Sequence, residues 1–328
     1  MYVIKHAPED FIVEELLDTQ SLTGKMSSKI TGKLTGKMTG KMTGEMTGEG
    51  AYLLVQVTKR EWNTESLAAE FARLLGIRRA AVGYAGAKDK LAVATQHFTL
   101  KGVSRERVAR LAIPRVTLRV LGVVKEPLGL GSLQGNKFTI TIRNLTNEEL
   151  ALPPCVPNYF DEQRFSSHNA AIGEALLRGS FAKAVALVEA SGSPHAQAMQ
   201  RFFRETNDAV GALLRLPRQH LRLYLHAYQS LLWNRMLTAY IRSSTSRYWR
   251  TTYSLGELLF PEERIADTVL PLPGFGVTGT TPIAAQLLDE VLAAAQLSPR
   301  NFIIKQLPNL SLEGDERRAL VTVQDFAL

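Results

Sequence analysis

One cysteine, Cys155, is all that 328 residues contain. That count excludes a disulfide framework and a Cys-rich zinc site. Long apolar runs are missing too, and none approaches the ~20 residues needed to span a bilayer. The start, Met1-Tyr2-Val3-Ile4-Lys5-His6, has no apolar signal core. Among His6, His97, His168, His195, His220 and His226 no pair stands at metal-ligand spacing with a third ligand in support. The expectation is a protein of the reducing cytoplasm, with no membrane partner and no metal.

Acidic charge is in short supply. Lys and Arg number 39 against 31 Asp and Glu, a net charge of +8. Such a surplus leans toward an anionic partner, nucleic acid first. Much of it has a local origin. From Thr23 to Glu49 the chain repeats a four-residue unit, TGKM, with variations. Gly at every fourth place opposes helix, so this segment reads as a low-complexity loop. Its Gly-Lys pairs are not a P-loop, which needs four residues between its glycines and Ser or Thr after Lys. The repeat holds five lysines and two glutamates, so +3 of the +8 belongs to it and +5 to the other 301 residues. Charge by itself therefore does not carry an RNA-binding argument.

The rest is 45% hydrophobic and 21% charged over the whole chain, an ordinary globular composition with length for two domains. Strand-like patterns fall at 11–14, 52–58, 80–84, 95–100, 116–124 and 138–143. A helix is expected from Thr64, the N-cap candidate, to a stop at Gly76. After the Pro153-Pro154-Cys155-Val156-Pro157 break, helical spacing dominates at 169–177, 182–190, 220–240 and 284–295. Strand character returns at 318–323. The order predicts a β-rich domain interrupted by a helix-rich insert.

Chemistry concentrates in Gly83-Tyr84-Ala85-Gly86-Ala87-Lys88-Asp89-Lys90, between two strand-like pieces. Two glycines permit a tight loop. An aspartate flanked by two cations is a candidate nucleophile or base; a solvated turn is the alternative. Gly274-Phe275-Gly276-Val277-Thr278-Gly279 fits G-x-G-x-x-G, but Pro271 and Pro273 precede it and no acidic residue follows about twenty places on. It is set aside as a nucleotide site.

Longer matches then decide between the readings. Lys59-Arg60-Glu61-Trp62-Asn63-Thr64, then Gly83 to Gln96, resemble K-x-x-x-N-T and G-Y-A-G-x-K-D-(K/R)-x-A-V-T-x-Q of the TruD family of pseudouridine synthases. Lys5 to Glu15 resembles that family's K-x-x-P-E-D-F-x-V-x-E. Gly135-Asn136-Lys137-Phe138 resembles G-N-x-F, and Pro157 to Phe165 resembles P-N-Y-F-G-x-Q-R-F-G. Ala227 to Asn234 and Leu272 to Gly276 are weaker echoes. The resemblance covers nearly the whole chain outside the repeat.

That resemblance implies an isomerase that converts uridine at position 13 of tRNA to pseudouridine, without metal or organic cofactor. It implies an α/β (α+β) fold with a pseudouridine-synthase-like catalytic domain, its sheet mostly antiparallel, at 1–156 and 305–328. An inserted, helix-rich TRUD domain is implied at 157–304, forming an RNA-binding cleft with the first. Asp89 matches the catalytic aspartate. Phe138 matches a residue placed to stack on the flipped uracil, and Asn136 one placed to bond its edge. Phe11, Lys5 and Lys88 match positions near the nucleotide. Each has a plainer alternative: Phe138 alternates with Ile140 and Ile142, so it and Phe11 fit a core, and the lysines fit solvated charges. Glu14 is a candidate partner for a lysine, and Arg164, Arg215, Arg218 and Arg222 are candidate phosphate contacts. A monomer is expected.

The chain also departs from the pattern. The repeat stands where relatives run almost directly to G-E-G. Asp161 and Ser166 replace two family glycines; if those sites need positive φ, Asp suits it better than Ser. Relatives continue past Gly314-Asp315-Glu316-Arg317 into a further strand and an L-P-x-G segment, whereas this chain ends at Leu328. A catalytically impaired RNA-binding homologue is therefore the alternative expectation.

Overall fold

The structure, a computed structural model, describes residues 3–17, 52–129, 131–145, 153–193 and 195–327. The 23–49 repeat lies outside them. The chain divides into two compact units, Met1–Glu149 and Leu150–Leu328.

The first unit is built on a six-stranded sheet. Its strands are β2 (Phe11–Leu17), β3 (Tyr52–Arg60), β4 (Val82–Tyr84), β5 (Val93–Lys101), β6 (Val116–Val124) and β7 (Leu133–Ile140). They run in the order β6-β3-β5-β2-β7, with β4 also on β5. Two short strands, β1 (Val3–Ile4) and β8 (Ile142–Arg143), pair beside it. Only β2 and β5 are parallel, in register Val13 to Ala94; the expected mostly antiparallel sheet is present.

Alternation sets which face is covered. Leu53, Val55 and Val57 on β3 stand opposite Leu100, Phe98 and Gln96 on β5. Helix α1 (Thr64–Leu75) adds Leu67, Ala68, Phe71 and Leu75 to the same buried cluster. Phe71 meets Phe98 edge-on at 5.2 Å. Each buried Leu, Val or Phe among them contributes about 1.5–3 kcal/mol. The helix ends where expected, at Gly76 with φ 61°. Its cap differs from the expectation. Asn63, not Thr64, accepts the N–H groups of Glu65 and Ser66. Thr64 is the first helical residue, and its hydroxyl is used elsewhere.

A short α2 (Arg105–Ala109) completes that unit's helices among the described residues. The second unit contains α3 (Asn169–Leu177), α4 (Phe181–Ala190), α5 (Ala196–Thr206), α6 (Ala209–Leu213), α7 (Arg218–Ser244) and α8 (Pro282–Ala294). Its core centres on α7, where Leu232, Trp233, Met236 and Leu237 are fully buried. Among the features that escaped the sequence reading are α2, α5, α6, and the hairpin of β10 (Tyr248–Tyr253) with β11 (Gly256–Pro261). No described helix is long and apolar enough to cross a membrane.

The C-terminal segment corrects the expected domain plan. Residues 305–328 were assigned to the catalytic domain. Here β13 (Asp315–Arg318) pairs with β12 (Val269–Leu272), and β14 (Leu320–Val321) pairs with β9 (Val156–Pro157). Ile304, Leu307, Leu310, Leu312, Ala319 and Leu320 all belong to the core around α7. That apolar payload holds the segment in the second unit. The G-x-G-x-x-G stretch serves the same packing: Phe275 N–H donates to Leu312 O at 3.0 Å, and Gly314 N–H to Phe275 O at 2.9 Å. Of the two substituted glycine positions, Ser166 has φ 47° while Asp161 stays extended at −74°. The left-handed position thus carries the less tolerant residue.

Candidate active site around Asp89

Five elements of the first unit converge on one loop. The loop, 85–92, joins β4 to β5. Lys5 follows β1 with a left-handed φ of 55°. It donates from Nζ to Asp89 Oδ2 at 2.6 Å, and both side chains remain about one-third exposed. The same ammonium sits 4.0 Å from the centre of the Phe11 ring, a cation–π contact. Phe11 meets Phe138 at 5.7 Å. Asp89, Lys5, Phe11 and Phe138 therefore form one continuous path.

Strand register explains the aromatic end. On the β2–β7 ladder, Phe11 lies opposite Ile140, Val13 opposite Phe138, and Glu15 opposite Asn136. Directly opposed residues share a face, so Phe11, Phe138 and Asn136 point the same way. Phe138 is 52% exposed, which rules out the core alternative for it. Phe11 is half-buried and Asn136 is exposed. Asn136 makes no side-chain hydrogen bond with the other described residues, so its amide keeps donor and acceptor capacity.

Lys88 is turned inward. Its ammonium donates to Glu15 Oε2 at 2.9 Å, with side chains only 7% and 0% exposed. Glu15 Oε1 also accepts the backbone N–H of His97 at 3.2 Å and faces His97 Nδ1 at 3.2 Å. Burial pushes the Glu15 carboxyl up, but hydrogen bonds from His97 and Lys88 outweigh it and hold it below the usual value. The lysine partner is therefore Glu15, not Glu14, which is exposed one residue away on the other face.

The loop is fixed from a second side. Thr64 Oγ1 accepts the Lys88 N–H at 2.9 Å and donates to Gln96 Oε1 at 3.0 Å. Lys59 donates to the carbonyls of Trp62, Lys88 and Asp89. Glu15, His97 and Lys59 had no assigned role in the sequence, and Thr64 was read there only as a helix cap. The K-x-x-x-N-T spacing was the available signal: it puts Lys59 at the end of the alternating face that carries Leu53, Val55 and Val57.

Among the described residues, no group of three or more His, Cys, Asp or Glu is placed to hold a metal ion. Two cavities of about 180 and 320 Å³ are lined by residues of the second unit alone and include none of the residues around Asp89.

The family model for tRNA pseudouridine synthase D (TruD) matches residues 2–199 and 192–250. The chain belongs to the TruD family. Curated TruD relatives include the "Probable tRNA pseudouridine synthase D" of Methanosarcina acetivorans, 26% identical over 84% of this chain and 79% of that one. The protein of the same name from Pyrococcus abyssi is 26% identical over 99% of this chain and 88% of its own; that of Methanopyrus kandleri is 29% identical over 84% and 78%. The crystal structure of the Methanosarcina mazei TruD protein shares the fold, with a TM-score of 0.60 at 23% identity over 97% of this chain and 83% of that one.

Proposed function

We propose that this chain isomerises uridine to pseudouridine in tRNA, at position 13, with Asp89 as the nucleophilic carboxylate. The observation that carries the proposal is the Asp89–Lys5–Phe11–Phe138 path. It sets a carboxylate, held at one oxygen by an ammonium, beside an exposed aromatic ring.

In this reaction the N1–C1′ bond of uridine breaks, the uracil turns, and a C5–C1′ bond forms. C5 gives up its proton and N1 gains one, so the composition is unchanged. Lys5 binds only Oδ2 of Asp89, which leaves Oδ1 for C1′. Phe138 stacks on the uracil once it has left the RNA stack, replacing the lost base neighbours. Asn136 bonds the uracil edge. Lys88 acts by anchoring the loop to Glu15 rather than by touching RNA. The cytoplasm, where tRNA is found, is the compartment that fits this reading.

The test is an unmodified tRNA transcript incubated with the protein, followed by chemical mapping of pseudouridine. Product at position 13, lost in Asp89→Asn while tRNA binding persists, is expected. Product formation unchanged in Asp89→Asn would eliminate the assignment of Asp89. Binding without product in the wild type would favour the RNA-binding homologue.

A further inference from the structure

Lys59 is wholly buried, yet no carboxylate is bonded to it among the described residues. Its Nζ lies 2.6 Å from Trp62 O, 2.9 Å from Asp89 O and 3.2 Å from Lys88 O. An ammonium has three protons and no lone pair. Three carbonyls converging on one nitrogen use all of them. Two of those carbonyls belong to the reactive loop, and the third starts the turn into α1. The strand fixes the nitrogen in turn, because Lys59 is paired across the sheet with Ala94 on β5 and Val116 on β6.

We propose that Lys59 is a positioning residue for pseudouridine formation: its ammonium clamps the backbone of residues 88 and 89 and so fixes the Asp89 carboxylate against C1′. The inference rests on the reading of Asp89 as the catalytic carboxylate. A neutral amine has two protons and a lone pair, so deprotonation sets that lone pair against one of the three carbonyls and loosens the loop. The charged groups acting on Lys59 are both on the loop. Asp89 attracts its proton and Lys88 repels it, while Ala94, Val116 and Thr64 carry no charge. Burial, the largest influence, holds the Lys59 ammonium down to about 8. The clamp therefore opens within the range of an ordinary activity assay.

Two variants separate this from a plain structural role. Lys59→Met keeps the length of the side chain and removes the donors. Lys59→Arg keeps the charge, but its planar fork does not match three carbonyls aimed at one atom. Single-turnover and steady-state rates on a tRNA transcript are measured from pH 6 to 9. Wild-type kcat is expected to fall about fivefold between pH 8 and 9, as one proton leaves a group titrating near 8. Lys59→Met is expected to lose about 100-fold in kcat, the scale of a misplaced reactive group, with KM within about threefold and the alkaline fall absent. Lys59→Arg is expected to remain impaired. Rescue by Arg, or a folded Lys59→Met whose kcat is unchanged or whose KM alone rises, would overturn the proposal.

Hydrogen exchange gives a readout that needs no activity. In Lys59→Met, amides of 86–91 are expected to exchange faster while those of 67–75 and 95–100 stay protected. Equal protection of the loop in both proteins would refute the clamp. A wild type that makes no pseudouridine while the loop loosens in the variant would refute the proposed function and leave the clamp standing.

Discussion

Replacing Glu15 by Gln tests whether the buried ion pair supports the loop. Glu15 accepts from Lys88 and from His97 at 2.9 and 3.2 Å, in side chains 0% and 7% exposed for the Glu–Lys pair. An amide fills the same volume but leaves the Lys88 ammonium buried without a counter-charge. Breaking a buried pair from one side costs about 3–5 kcal/mol. For a unit of this size, Met1–Glu149, each kcal/mol moves the midpoint by about 2–4 °C. A fall of about 6 °C or more is therefore expected, read by calorimetry at pH 7. The double variant Glu15→Leu with Lys88→Met removes both charges together and is expected to recover more than half of the loss. Acid supplies a second readout. The folded-state carboxyl lies below the usual 4.5, so the unfolded chain takes up the proton first. Its contribution is complete above pH 4.5 and is lost as pH falls through the lower folded value, and the Gln variant should lack that part of the slope. A midpoint within about 3 °C of wild type, or a double variant no more stable than Glu15→Leu alone, would refute the reasoning.

Two further substitutions probe the scaffold. Gly173 on α3 faces α7 so closely that a Cβ there would lie 2.1 Å from Tyr224 O; Gly173→Ala should cost about 1–3 kcal/mol by forcing the helices apart, and an unchanged denaturant midpoint would contradict that packing. Asn63→Ala removes the cap of α1 and should cost about 1 kcal/mol, seen as a shift in urea midpoint, whereas Thr64→Ala should reduce activity through the Lys88 contact.

Much of the fold was legible because its signals are local. The span of β6 and the span of α3 follow from period-2 and period-3.6 spacing and were read at their full length. The α1 stop was visible as Gly76 after an apolar face. The missed elements carry local signals as well: α5 is amphipathic with Ala196 and Met199 on its buried side, and β10 is rich in aromatic and β-branched residues. The C-terminal strands were misassigned because partner choice depends on which core takes Ala319 and Leu320, and no local pattern states that.

The site divides in the same way. The sequence by itself singled out Asp89, Lys5, Lys88, Phe11, Asn136 and Phe138 as candidates, since their order and spacing are fixed in the chain. Only the tertiary structure decided what each does with its neighbours. It brought Lys5 to Asp89 across 84 positions, turned Lys88 inward onto Glu15 rather than outward, and exposed Phe138 on a strand that could equally have been covered. The reason is physical: a residue's type fixes its donors, charge and volume, but burial and partners come from strand register and from what packs above the sheet.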